Sequence, residues 1–73
     1  MPCIGPDGTP TVTGRKVLGA LKAGKSTPEA VAEESGVAMF RVRSGLRSLV
    51  ESGMAEIKAD GCYAITDKGA ALL

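Results

Sequence analysis

The stretch Met54–Ile65, "MAEIKADGCYAI", changes the rhythm of the chain. Before it, the apolar residues recur at helical spacing. Within it, Ala55 and Ile57 alternate with Glu56 and Lys58, and Tyr63 and Ile65 alternate with Cys62 and Ala64. A period of two belongs to strands, whose successive side chains point to opposite faces. Two such runs around "ADG" predict a β-hairpin. A three-residue loop, Ala59–Gly61 with Gly61 left-handed, puts Ala55, Ile57, Tyr63 and Ile65 on one face. A two-residue Asp60-Gly61 turn would scatter them, so the longer loop is expected.

Upstream, the punctuation is helical. After Gly36, the residues Val37, Val42, Leu46, Leu49 and Val50 keep to one face at roughly 100° per residue, and Gly53 ends the run. This predicts the longest helix, the third. The segment "STPEAVAEESG" before it has Thr27 as cap, Pro28 at the first helical position, Glu29 in the first turn and Gly36 past the last turn. "TVTGRKVLGALKAGK" supplies a first helix, with Thr13 as N-cap, Val17, Leu18 and Leu21 at helical spacing, and Gly24 as the stop. Residues 1–12 begin with "MPCIGPDGTP", where three prolines and two glycines disfavour helix and Ile4 is the single strong hydrophobe. They read as a flexible N-terminal arm, and residues 13–73 as the folded domain. Downstream, "TDKGAALL" offers Thr66 as a cap and Leu72 and Leu73 to dock, as a short last helix or a frayed tail.

Composition narrows the function classes. A chain of 73 residues makes one small domain, and with 44% hydrophobic residues but only 3% aromatic, its core is aliphatic. Cys3 and Cys62 are far apart, and no histidine completes a ligand set, so neither a metal site nor another cofactor is expected. No histidine base, glycine-rich phosphate loop or nucleophile arrangement suggests an enzyme. No apolar run reaches the roughly 18 residues of a membrane span, and a cytoplasmic protein with reduced thiols is expected. The formal net charge is +1, so any basic footprint is local.

Three helices followed by a hairpin is the order of the winged helix-turn-helix, and the chain from Thr13 onward resembles that fold. "VLGAL" looks like the apolar signature of its first helix. "EAVAEESGV" is similar to the second helix and turn, with Ala32 at the helix crossing, and "VRSGLRSLVESGM" looks like the recognition-helix scaffold. "YAITDKG" resembles the "LTxxG" ending of MarR-like and related small regulators. The resemblance implies an α+β winged helix-turn-helix with a two-stranded wing, whose third helix enters the major groove of double-stranded DNA in a small transcriptional regulator.

The residues to carry such contacts lie in "FRVRSGLRSL", Phe40–Leu49, with three arginines and no acid. If Val42 points inward, then Phe40, Arg43, Ser44, Arg47 and Glu51 lie outward, with Arg41 and Ser48 at one edge. Arg43 and Arg47, four residues apart, form a stripe suited to guanine edges or phosphate. Arg41, Ser44 and Lys58 are supporting candidates, with Lys68 a further possible phosphate contact. An arginine on a helix is often merely solvated, and Arg47 and Glu51 have the spacing of a weak pair. Glu29, Glu33 and Glu34 on the second helix, and Glu56, Asp60 and Asp67 around the hairpin, oppose the basic groups. Phe40 departs from the family's small hydroxyl residue and either touches thymine methyls, packs on the arm or anchors a protein. The alternative function is therefore a winged-helix interaction module for an acidic protein partner, using Phe40 and the arginines. A third reading is a cysteine-based redox or metal sensor working as a dimer, although FeoC-like wings carry a cysteine cluster that Cys62 alone does not reproduce. The tail after Thr66 is shorter than the dimerisation helix of MarR-like proteins, so a monomer or weak homodimer is expected.

Overall fold

A computed structural model of the chain describes Ile4, Gly5 and residues 8–73. Helices α1 (Val12–Lys22), α2 (Pro28–Ser35) and α3 (Met39–Glu51) come first, then strands β1 (Ala55–Ile57) and β2 (Tyr63–Ile65), then a short helix α4 (Asp67–Ala71). The class is α+β: three helices, a two-stranded antiparallel hairpin and a short C-terminal helix.

The first helix starts earlier than the sequence predicts. Thr11, not Thr13, is its N-cap, with Thr11 Oγ1 accepting the Gly14 N–H at 3.2 Å. The earlier start lets the Arg15 N–H reach the Thr11 carbonyl at 2.8 Å, extending the helical ladder by a turn's edge. Val12, assigned by sequence to the arm, is thus helical. Ahead of it, Ile4 and Pro10 form an isolated antiparallel bridge, and Ile4 packs against the core. The other residues of the expected arm, Cys3 among them, lie outside the described residues.

At α2 the expected punctuation holds. Thr27 Oγ1 accepts the Ala30 N–H at 3.2 Å, Pro28 opens the helix, and Gly36 closes it in the left-handed region. Ser35 then fastens the turn into α3: its hydroxyl donates to the Val31 carbonyl (2.6 Å) and accepts the Val37 N–H (3.2 Å). The third helix begins at Met39, with Ala38 as an N-cap that makes no side-chain bond. Its other end is a Schellman motif. Gly53, at φ +77°, lets its own N–H bond the Val50 carbonyl while the Met54 N–H bonds that of Leu49. The same pair of bonds ends α1 around Gly24.

The core is aliphatic. Val17, Leu18 and Leu21 of α1 meet Val31 of α2, Val42, Leu46 and Leu49 of α3, and Met54 and Ala55 at the hairpin's entry, all buried. Three helices supply it because each has one apolar stripe that must be covered. In the hairpin, Ala55 pairs with Ile65, Glu56 with Ala64 and Ile57 with Tyr63. Lys58 donates to the Cys62 carbonyl at 2.7 Å across a three-residue loop, Ala59–Gly61, and Gly61 has φ +86°. That is the expected register. The outer edge of β2 is also engaged, since the Tyr63 N–H donates at 2.7 Å to the carbonyl of Ser26, between α1 and α2.

The tail is a helix. Thr66 Oγ1 accepts the Gly69 N–H (3.2 Å) and its hydroxyl donates to the Gly53 carbonyl (2.6 Å), tying α4 to the end of α3. Leu72 packs on the core, whereas Leu73 is exposed.

Candidate nucleic-acid interface

Burial of Val42, Gly45, Leu46 and Leu49 fixes the rotation of α3. The opposite face presents Phe40, Arg43, Ser44, Arg47 and Glu51, all exposed, with Arg41 exposed beside them. This is the outward list the helical spacing predicts. Phe40 is 71% exposed, and the Arg41 guanidinium sits over its ring, 5.8 Å from the centroid. The distance is within cation–π range, so Arg41 shields one face of the phenyl group while keeping its charge in water.

The two arginines of the stripe are each paired with an acid. Arg43 Nη2 lies 3.9 Å from Glu29 Oε1, bridging α3 to the first turn of α2. Arg47 Nε lies 3.4 Å from Glu51 Oε1, one helical turn on. All four side chains are about two-thirds exposed or more. Pairs this solvated contribute about 0–1 kcal/mol each to stability. Each pair also sets a carboxylate beside one of the few cations on this face. The spacing of Arg47 and Glu51 announces the second pair. The first is tertiary, and only the packing of α2 on α3 reveals it.

The six sequence candidates separate into two pairs, a serine between them and an outlier. Arg43 and Arg47 line a concavity of about 390 Å³ between α3 and the hairpin, with Val50, Glu51, Ile57 and Tyr63. Ile57, alternating correctly in β1, is 56% exposed and faces this open concavity. Phe40 and Arg41 instead border a second concavity of about 400 Å³ at the start of α3, with Lys16 and Thr13 of α1 and Val37 of the turn. Lys16 is a neighbour that the sequence reading did not single out. Ser44 is exposed between the two along α3.

Lys58 is exposed at the base of the hairpin loop. Near it, Asp60 accepts the Cys62 N–H at 3.0 Å, a bond that holds its carboxyl below the ordinary value, so the loop carries a fixed negative charge beside the lysine. Lys68 is otherwise occupied: its Nζ donates to the Ser52 carbonyl at 2.9 Å, at the negative end of α3. Of the α2 acids, Glu33 and Glu34 line a separate shallow depression with Lys25. Cys62 is a free, half-buried thiol. Among the described residues no group of three His, Cys, Asp or Glu side chains is placed to hold a metal, and no helix is long and apolar enough to cross a membrane.

No protein-family model, curated protein or solved structure matches this chain.

Proposed function

We propose that the chain is a winged helix-turn-helix domain that binds double-stranded DNA in a small transcriptional regulator, with α3 in the major groove and the hairpin against the backbone. The observation that carries this is the outward face of α3, a 13-residue helix, where Arg43, Ser44 and Arg47 follow one another beyond the exposed Phe40. A helix of that length, about 20 Å, suits the groove, whose width admits one helix. Arg43 and Arg47 take the base edges or adjacent phosphates, while Arg41 and Lys58 take phosphate. So small a set of cations binds weakly alone, and a monomer or weak homodimer is the expected state in solution.

The test is binding to random-sequence duplex by fluorescence anisotropy at roughly 50 and 200 mM salt. Four neutralised phosphates give a log–log slope near −3.6, or about a hundredfold loss of affinity across that range. Salt-independent binding, or none at the lower salt, removes the DNA reading.

The second reading is a protein-interaction module. Its specific support is the apolar lining of the concavity below the arginines, where Val50, Ile57 and Tyr63 meet, together with the exposed Phe40. Apolar floors with a charged rim are the ordinary anatomy of a protein interface.

A further inference from the structure

Three groups of residues around the preceding assignment invite a role: the apolar concavity under Arg43 and Arg47, the corner where Phe40 meets Lys16, and the acids Glu29 and Glu51. The first two have partners that only a binding study can name, and the charge around the first is already balanced by its own carboxylates. The acids are different, because their geometry specifies what they act on.

We infer that Glu29 and Glu51 are specificity-determining residues, which suppress binding of α3 to nucleic acid of arbitrary sequence by occupying Arg43 and Arg47 in the free protein. The inference rests on the DNA reading above and deepens it. Glu29 Oε1 stands 3.9 Å from Arg43 Nη2 and Glu51 Oε1 stands 3.4 Å from Arg47 Nε, so each arginine of the stripe has one carboxylate and each carboxylate one arginine. The pairs contribute little to the fold at this exposure. Glu29 does have a structural reason to be where it is, in the first turn of α2. That reason calls for an acid there and says nothing of Arg43, which arrives from another helix. Glu51, in the last turn of α3, has no such reason, because a negative charge at the C-terminal end of a helix opposes the dipole.

The consequence for binding follows from charge. A phosphate approaching Arg43 or Arg47 has to displace a carboxylate that stays tethered within a few ångströms, and it is then repelled by it. The loss falls on every sequence alike, because phosphate contact carries no sequence information. A base edge carries no net charge, so a nearby carboxylate repels it less than it repels a phosphate. The two acids therefore lower the non-specific background further than they lower binding at a matched site.

The experiment compares Glu29→Gln, Glu51→Gln and the double variant with the parent on random-sequence duplex across a salt series. Glu33→Gln serves as a control that makes the same change of net charge on α2 away from the stripe. Each glutamine substitution at the pairs is expected to tighten binding about two- to fivefold at low salt, the range that a surface charge pair is worth. The double variant is expected to gain about tenfold, and its salt slope to steepen by up to about two units, one for each released cation. Glu33→Gln is expected to change affinity less than twofold. Native far-UV circular dichroism and cooperative melting for all variants, with Glu29→Gln lowered by at most a few degrees for its lost helix-dipole charge, show that the fold is not what moved. If Glu29→Gln and Glu51→Gln tighten binding no more than Glu33→Gln does, while the parent binds, the inference is overturned and the DNA reading stands. If neither the parent nor the double variant binds duplex at the lowest salt, the DNA reading itself fails, and the inference with it.

Discussion

Gly69→Ala is the substitution whose effect the structure specifies most sharply. Gly69 is buried in α4, and a Cβ there would fall inside contact distance of the Met54 carbonyl oxygen and 3.1 Å from Ile65 Cγ1. Neither neighbour yields easily. Met54 is fully buried, its N–H bonds the Leu49 carbonyl at 2.9 Å, and its carbonyl accepts the Thr66 N–H at 3.1 Å. The helix must therefore move outward, which strains the Thr66 hydroxyl bond to Gly53 (2.6 Å) and the Lys68 bond to Ser52 (2.9 Å). Overpacking of this kind costs about 1–3 kcal/mol, and a weakened hydrogen bond about 1 more. Alanine's helix propensity returns at most about 1 kcal/mol, and less in a helix of one turn and a half. The net expectation is a loss of about 2 kcal/mol. For a domain of this size that lowers the melting temperature by about 8–16 °C. Thermal and urea unfolding followed by far-UV circular dichroism measure it. A Gly69→Ala protein melting at or above the parent would refute the packing of α4 on the α3–β1 junction.

Leu46→Ala, at a fully buried position in the core, should cost about 2–5 kcal/mol in the same urea assay, and a loss below 1 would mean that α3 is rotated from the phase described. Arg43→Ala and Arg47→Ala should leave stability within about 0.5 kcal/mol of the parent, both being exposed. In anisotropy titrations each should flatten the salt slope by about one unit if it holds phosphate, or cost about 1–3 kcal/mol at a matched site if it reads a guanine. Phe40→Ala and Ile57→Ser should barely alter duplex affinity, whereas against a protein partner a buried aromatic anchor loses about 2 kcal/mol or more on truncation.

What the sequence foretold is what the backbone decides locally. Thr27-Pro28 and Gly36 bound α2 because a capping hydroxyl, a fixed φ and a left-handed residue act on their immediate neighbours. The hairpin register was readable for the same reason: one left-handed glycine, Gly61, fixes the loop length and so the pairing of every residue behind it. Where the local signal is duplicated or missing, the reading slips. Thr11 and Thr13 are both competent caps, and the chain uses Thr11, two residues before the expected Thr13. The start of α3 carries no signal, since Ala38 caps with no side chain. The charges were the least legible part. Nothing within four residues of Arg43 announces Glu29, and nothing near Lys68 announces the Ser52 carbonyl, because both partners come from another element. The exposure of Ile57 was hidden too, since alternation fixes which face a strand residue takes but not whether the core extends beneath it.

The choice between duplex DNA and a protein partner turns on how much surface each needs. The chain exposes 4272 Å², and a standard interface takes about 800 Å² from each partner, close to a fifth of the total. From Phe40 to Val50 the outer side of α3 runs about 15 Å. A protein burying that area would have to cover both concavities along the helix, with the arginine stripe between them. Arg43, Arg47, Glu29 and Glu51 would then be desolvated together, a cost that exposed pairs at 3.9 and 3.4 Å are poorly arranged to recover. Duplex DNA makes the opposite demand. It needs the guanidinium groups hydrated until contact, and it replaces each carboxylate with a phosphate instead of burying it. On this balance the ion pairs favour nucleic acid even though they weaken its binding, and the apolar residues flanking them favour a protein only if Phe40 and Ile57 are lost to the same partner. A partner whose affinity depends on both Phe40→Ala and Ile57→Ser, and whose binding is indifferent to salt, would reverse the order of the two readings.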